Sequence, residues 1–123
     1  MDWTKYPNFT EEEFKCKHCG KAEMNAAFMG KLQHLRNAYG KPMVITSGYR
    51  CPDHPIEAAK ATPGAHASGQ ACDIGAQGTD AYNLLKLAFA LDFTGIGVQQ
   101  KGGGRFIHLD TLRNPPRPNV WSY

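Results

Sequence analysis

From Ser47 to Gly69 the chain is rich in Pro, Gly and Ala and carries no clean apolar period. So long a stretch without a period is uncommon in a compact domain and is usually functional. In a chain of 123 residues, about the size of one domain, this segment constrains everything else. The residues on either side of it must supply the whole core. A single domain over 1–123 is therefore expected, and separate catalytic and anchoring modules do not fit the length.

The flanking segments carry readable signals. Phe9 to Phe14 is a helix start: Thr10 and Glu13 form a capping box, and Phe9 and Phe14 a hydrophobic staple. A longer helix is predicted from Asn25 to Tyr39, with Phe28, Leu32, Leu35 and Tyr39 on one face, ended by Gly40 and Pro42. Met43 to Thr46 reads as a buried strand and Gln70 to Ile74 as a short one. Thr79 is expected to cap a second apolar helix carrying Ala81, Leu84, Leu85, Ala88 and Leu91. Two strand-like runs, Gly95–Gln100 and Arg105–Leu109, are joined by Gly102-Gly103-Gly104, which suggests an antiparallel hairpin. The order implies an α+β fold, a small antiparallel sheet with helices packed on one side. The tail Asn114-Pro115-Pro116-Arg117-Pro118 cannot continue a strand. It reads as a strap that lets Trp121 pack back on the domain, or as a proline-rich ligand for a partner.

Composition excludes several classes. Charged residues are 20% of an otherwise ordinary globular mixture, which rules out disordered, collagenous and coiled-coil chains. No window approaches the roughly 18 apolar residues of a membrane span. A net charge of +3, scattered along the chain, is too small to argue for nucleic acid, although it favours approach to an anionic polymer. A monomer is expected. The start Met1-Asp2-Trp3-Thr4 has neither a basic n-region nor an apolar h-region. Synthesis in the cytoplasm without a signal peptide is therefore expected, and any extracellular work would need help getting out.

Chemistry concentrates at three positions. His66 and Asp73 share the run His66-Ala67-Ser68-Gly69-Gln70-Ala71-Cys72-Asp73, and His108 lies in Phe106-Ile107-His108-Leu109-Asp110. Two imidazoles and a carboxylate suit Zn²⁺ with a fourth position left open. Ligands on one helix would fall at i and i+4. This spacing instead needs a loop, a strand and a neighbouring strand to converge. Gly69 and Ala71 are small enough to let backbones approach there. The alternative for each histidine is a satisfied polar residue. Gly102-Gly103-Gly104 precedes a strand and lacks a following Lys-Ser/Thr pair, so it is a hairpin turn rather than a phosphate loop. His34 lies on a helix of mixed polarity and takes no role.

Three segments carry a resemblance: Thr46-Ser47-Gly48-Tyr49-Arg50, His66-x-x-Gly69-x-Ala71-x-Asp73-Ile74 and Phe106-Ile107-His108-Leu109-Asp110-Thr111. Together they resemble the zinc D-Ala-D-Ala carboxypeptidase family, which includes D,D-carboxypeptidases, D,D-dipeptidases and phage L-alanyl-D-glutamate endolysins. Phe14-x-Cys16, Gly95-Ile96-Gly97 and Trp121-x-Tyr123 are similar to its short phage and prophage members, so the likeness covers nearly the whole chain. The resemblance implies zinc at His66, Asp73 and His108 in a cleft over the sheet. It also implies hydrolysis of peptidoglycan stem peptides, at either the D-Ala-D-Ala or the L-Ala-D-Glu bond. Arg50 matches the family's substrate-facing arginine, whose guanidinium suits a carboxylate or an oxyanion; a surface salt bridge is the alternative.

The chain departs from the family three residues before the last ligand. Relatives carry Glu, Asp or His there as general base; here stands Arg105, which cannot accept a proton. Arg105 is expected instead to bind an acidic stem. Asp110 is the nearest candidate base, because residues i and i+2 of a strand share a face. The alternative is that Asp110 fixes a ligand imidazole or an arginine. The departure keeps a second reading open, a non-catalytic zinc-binding module of the kind found in hedgehog signalling domains, binding wall peptides or a protein partner.

The cysteines are read separately. Cys16-Lys17-His18-Cys19 and Cys51-Pro52-Asp53-His54 could form a closed structural zinc site of Cys16, Cys19, Cys51 and His54. The alternatives are reduced thiols or a Cys16–Cys19 redox pair. Cys72 alternates away from Asp73 and is expected in the core.

Overall fold

The computed structural model describes residues 1–60 and 64–123; part of the Ser47–Gly69 segment, residues 61–63, thus lies outside the described residues. Among the described residues four α-helices and five strands follow one another as α1 (Glu11–Phe14), α2 (Ala26–Tyr39), β1 (Val44–Ser47), α3 (Pro55–Ala58), β2 (Ala71–Gly75), α4 (Gly78–Ala90), β3 (Gly95–Gln99), β4 (Phe106–Asp110) and β5 (Asn119–Ser122). The strands form one sheet in the order β1-β2-β4-β3-β5. All neighbours are antiparallel except β3 and β5, which run parallel. The fold is thus α+β.

The local signals act as their chemistry requires. The Glu13 carboxylate accepts the Thr10 backbone N–H at 2.8 Å, and the Phe9 and Phe14 rings meet edge to face at 5.6 Å. Asn25 caps α2 by accepting from the Phe28 N–H, and Gly40 closes it with φ +73. Phe28, Leu32 and Leu35 of α2 share one core with Leu84 and Ala88 of α4 and with Cys72, Ile74, Ile96, Ile107 and Leu109 of the sheet. Each fully buried large side chain of this kind stabilises by about 1.5–3 kcal/mol.

Three expectations need correction. The strand expected to be buried at Met43–Thr46 is β1, an edge strand with Val44 63% exposed, because among the described residues β2 is its one strand partner. Thr79 does not cap α4. The cap lies two residues earlier, at Gln77, so the backbone of Thr79 is already helical. The tail is more than a strap: beyond Pro118 it enters the sheet as β5, beside β3.

Strand alternation divides the sheet into two faces. Cys72, Ile74, Ile107 and Leu109 turn to the helices. Asp73, His108 and Asp110 turn to the other side, where the loop between β1 and β2 lies.

Candidate metal centre

Register brings the first two site residues together. Asp73 on β2 pairs directly with His108 on β4, and Gly97 and Trp121 continue the same row across β3 and β5. His66 arrives from the loop, on a single 3-10 turn spanning Ala65–Ser68. Gly69 ends that turn with φ +74, and any Cβ there would collide with the Glu23 carbonyl. Its own carbonyl accepts the Asn25 N–H at 2.9 Å, which ties the loop to the start of α2. Only glycine meets both demands.

His66, Asp73 and His108 are all buried, at 4%, 5% and 4% exposure. His66 Nε2 lies 3.2 Å from Asp73 Oδ1, His108 Nδ1 lies 3.1 Å from the same oxygen, and the two nitrogens are 3.2 Å apart. Outer partners fix the tautomers. His66 Nδ1–H donates to the Gly48 carbonyl at 2.8 Å, and His108 Nε2–H donates to Asp110 Oδ2 at 2.8 Å. Each imidazole therefore aims a lone pair at one point, where a carboxylate oxygen also aims. Three acceptors this close repel one another unless a cation stands among them. Tetrahedral zinc with ligand bonds of about 2.0–2.1 Å separates its ligands by about 3.3 Å, so the triangle fits that ion.

The ionisation of the site tells the same story. Burial works against the Asp73 carboxylate, but the adjacent His108 and His66 rings, which favour its charged form when they carry a proton, outweigh it and hold its pKa well below the usual range. Burial likewise disfavours a charged His108, yet contacts with Asp110 and Asp73 raise its pKa. Positive charge is favoured at this point, which a proton or a metal can supply.

Asp110 stands behind His108 with no exposure. Arg117 grips it with two bonds, Nε to Oδ1 at 3.0 Å and Nη2 to Oδ2 at 2.7 Å. The Leu112 N–H also reaches Oδ1 at 3.3 Å. Burial opposes its charge, but His108 and Arg117 bring the pKa to about 2. Gly95 leaves the space this carboxylate fills, since a Cβ there would overlap it. With both oxygens engaged on the Nε2 side of His108, the geometry is that of a group fixing a ligand ring.

The three residues open on a cleft of about 450 Å³ lined also by Arg50, Lys60, Phe106, Arg117, Trp121 and Tyr123. Arg50 Nη2 lies 3.5 Å from Asp73 Oδ2, and its Nη1 lies 3.5 Å from Glu57 Oε2. Glu57 is 1% exposed; it also accepts from Lys60 Nζ at 2.9 Å and from the Gly64 N–H at 2.6 Å. The Trp121 ring packs 5.1 Å from His108, with the Arg117 guanidinium 4.8 Å over it. Burial raises the Tyr123 pKa, so its phenol is a donor at neutral pH. Arg105 does not reach the cleft: it is exposed at the β3–β4 turn and donates to the Gly102 carbonyl at 2.9 Å. It precedes β4 at an odd separation from His108, which points it away from the ligand face. Among the described residues lining the cleft, Asp73 is the one carboxylate.

Glu57, Arg117, Trp121 and Tyr123 were not readable as site residues. Glu57 and Lys60 do form an i,i+3 pair, a weak sign that Glu57 is paired. Arg117 follows two prolines and has no periodic context.

A second cluster lies at the other end of the loop. The sulfurs of Cys16, Cys19 and Cys51 fall within 4.8 Å of one another. Burial disfavours the Cys16 thiolate, but backbone N–H groups of Cys51, Cys19 and His18 outweigh it and bring the pKa to about 6. His54 is not part of this group. Its Nδ1 accepts the Ile56 N–H at 3.1 Å, because it caps α3. Cys72 is fully buried, and burial pushes its thiol pKa well up.

A family model described as Peptidase M15 matches residues 7–110. The chain belongs to that family, a metallopeptidase family. No match was found among curated proteins.

Proposed function

For this member of the Peptidase M15 family, we propose zinc-dependent hydrolysis of peptide bonds in bacterial cell-wall stem peptides. The observation that carries the reading is the convergence of His66 Nε2, Asp73 Oδ1 and His108 Nδ1 within 3.2 Å in a cleft whose other charged groups are cationic. Zinc held there supplies Lewis-acid polarisation of the scissile carbonyl and acidifies water to a pKa of about 7.

The chain's own residues do the rest. Asp110 and Arg117 hold the His108 ring in the tautomer that presents Nδ1. Glu57 holds Arg50 at the cleft, with Asp73 on its other side. Arg50 is then placed to bind the developing oxyanion or a substrate carboxylate. Lys60 adds positive charge at the rim, Tyr123 a phenol donor and Trp121 an apolar wall. A cationic cleft suits a leaving residue with a free carboxylate. D-Ala at the end of a stem has one, and so does D-Glu linked through its side chain. The reading therefore covers both a D-Ala-D-Ala carboxypeptidase and an L-Ala-D-Glu endopeptidase. Phage or prophage origin, and action on the wall after release from the cytoplasm, belong to the same proposal.

A second reading is a zinc module that binds such peptides without cleaving them. It is favoured by one observation: no carboxylate or imidazole besides the three ligands lines the cleft among the described residues. Digestion of purified peptidoglycan with the zinc-loaded protein, followed by mass analysis, separates the two. Release of free D-Ala, or of peptides beginning with D-Glu, supports hydrolysis and identifies the bond. Saturable peptide binding with no released fragment supports the binder. Neither binding nor release removes wall peptides as the ligand.

A further inference from the structure

Cys16, Cys19 and Cys51 come from two turns that lie far apart in sequence. The first reverses between Cys16 and Lys21: the Gly20 N–H donates to the Cys16 carbonyl at 2.8 Å, and the Cys16 N–H donates to the Lys21 carbonyl at 2.7 Å. Gly20 takes φ +76, which a side chain would strain. The second turn is closed by the His54 N–H on the Cys51 carbonyl at 2.9 Å. Backbone pairing brings the two together. The Tyr49 N–H donates to the Phe14 carbonyl at 3.0 Å, and Gly48 lies so close to Phe14 that a Cβ would stand 2.6 Å from its Cα.

The sulfurs are oriented inward by this framework. Cys16 and Cys51 are 2% and 7% exposed, and Cys19 faces them from an exposed turn. The Cys16 sulfur accepts N–H groups from Cys51 at 3.3 Å and from His18 at 3.4 Å. Amide dipoles aimed at a sulfur stabilise the thiolate form, the form that binds metal. Three thiolates from two tight turns are a soft donor set that selects zinc over hard cations.

We infer that Cys16, Cys19 and Cys51 bind a structural Zn²⁺, separate from the His66–Asp73–His108 centre, which locks the N-terminal turn to the Arg50 loop. Among the described residues these three sulfurs are the ligand atoms that cluster here. His54 is unsuited as it stands, because its Nδ1 accepts the Ile56 N–H and its own proton must then sit on Nε2. The link to the cleft is covalent, since Cys51 follows Arg50.

The test is metal stoichiometry on the full chain, purified under reducing conditions with zinc supplied. Elemental analysis should give about two zinc ions per chain for wild type and about one for His66→Ala. Cys19→Ser is the matching variant, because an exposed side chain can change without disturbing the core. It should retain its circular dichroism, fall to about one zinc and lower the thermal midpoint. Cobalt should give thiolate-to-metal charge-transfer absorption in wild type and in His66→Ala, but not in Cys19→Ser. A single zinc that disappears in His66→Ala would overturn the site. So would a Cys16–Cys19 or Cys16–Cys51 disulfide in the zinc-supplied, non-reduced protein.

Discussion

The two clusters sit at opposite ends of one loop and are held by opposite means. His108 and Asp73 stand on directly paired strands, and each imidazole has its second nitrogen committed to a fixed acceptor. Strand pairing and these two hydrogen bonds set their geometry. The three cysteines stand on turns, with no strand register between them. Adjacent amides join the two regions: the Arg50 N–H donates to the His66 carbonyl at 3.3 Å, and the Cys51 N–H donates to the Cys16 sulfur at 3.3 Å. The difference teaches which site can do chemistry. A preorganised ligand set can hold a metal with an open position, whereas a loop-borne set gains its order from the metal it binds.

The largest expected effect breaks the preorganised end. Asp73→Ala removes one ligand and leaves two imidazoles facing each other. Zinc at this centre and wall-peptide hydrolysis should both fall to background, while zinc on the cysteines persists. Loss of both ions together would show that the two regions are one unit. Next comes Arg50→Ala, which should keep both ions but lower kcat/KM by about 10²–10³, the usual weight of one oxyanion donor. Unchanged kcat/KM would place Arg50 in structure alone. Asp110→Asn is smaller and more informative. If Asp110 only positions His108, zinc affinity drops about 10–100-fold and turnover at saturating zinc is largely restored. If it acts as the base, affinity holds and turnover drops by about 10²–10⁴.

Helices α1, α2 and α4 and the β3–β4 hairpin were legible because their signals are local, such as the α2 stripe, the Thr10–Glu13 box and the glycines before Arg105; the single turn of α3 inside the Ser47–Gly69 stretch was not. Strand β5 was not, since it pairs with β3, as in Gly95 with Asn119, far away in sequence, and the prolines just before it argue against a strand. The ligand triad was legible in residue type and motif, but its convergence rests on the Asp73–His108 register. Asp110 was legible as sharing a face with His108, but its engagement by Arg117 was not, because no pattern marks Arg117. Arg105 misled because its position in the resemblance suggested a role that its place on the turn denies. His54 looked like a fourth ligand by spacing, while in three dimensions it caps α3.

The smallest expected effect lies at the joint between the two regions. Glu57 is buried beneath Arg50 and Lys60, and it reaches across the loop to the Gly64 N–H. Burial raises the cost of its charge, but Lys60, Gly64 and Arg50 outweigh that cost and lower its pKa. A carboxylate whose folded pKa is depressed adds stability that is fully present above its unfolded pKa, about 4.3. That stability is lost as pH falls below this value towards the folded pKa. Glu57→Gln keeps the shape and the Gly64 bond but removes the charge. Because Lys60 and Arg50 are partly solvated, the expected loss is modest, about 1 kcal/mol at neutral pH. Urea unfolding of both proteins at neutral pH and near pH 3 measures it. The stability gap should narrow at the acid end, where wild-type Glu57 begins to protonate. A gap that stays constant with pH would mean that Glu57 acts through packing, and the loop between the two metal-competent clusters would then be held by shape rather than by charge.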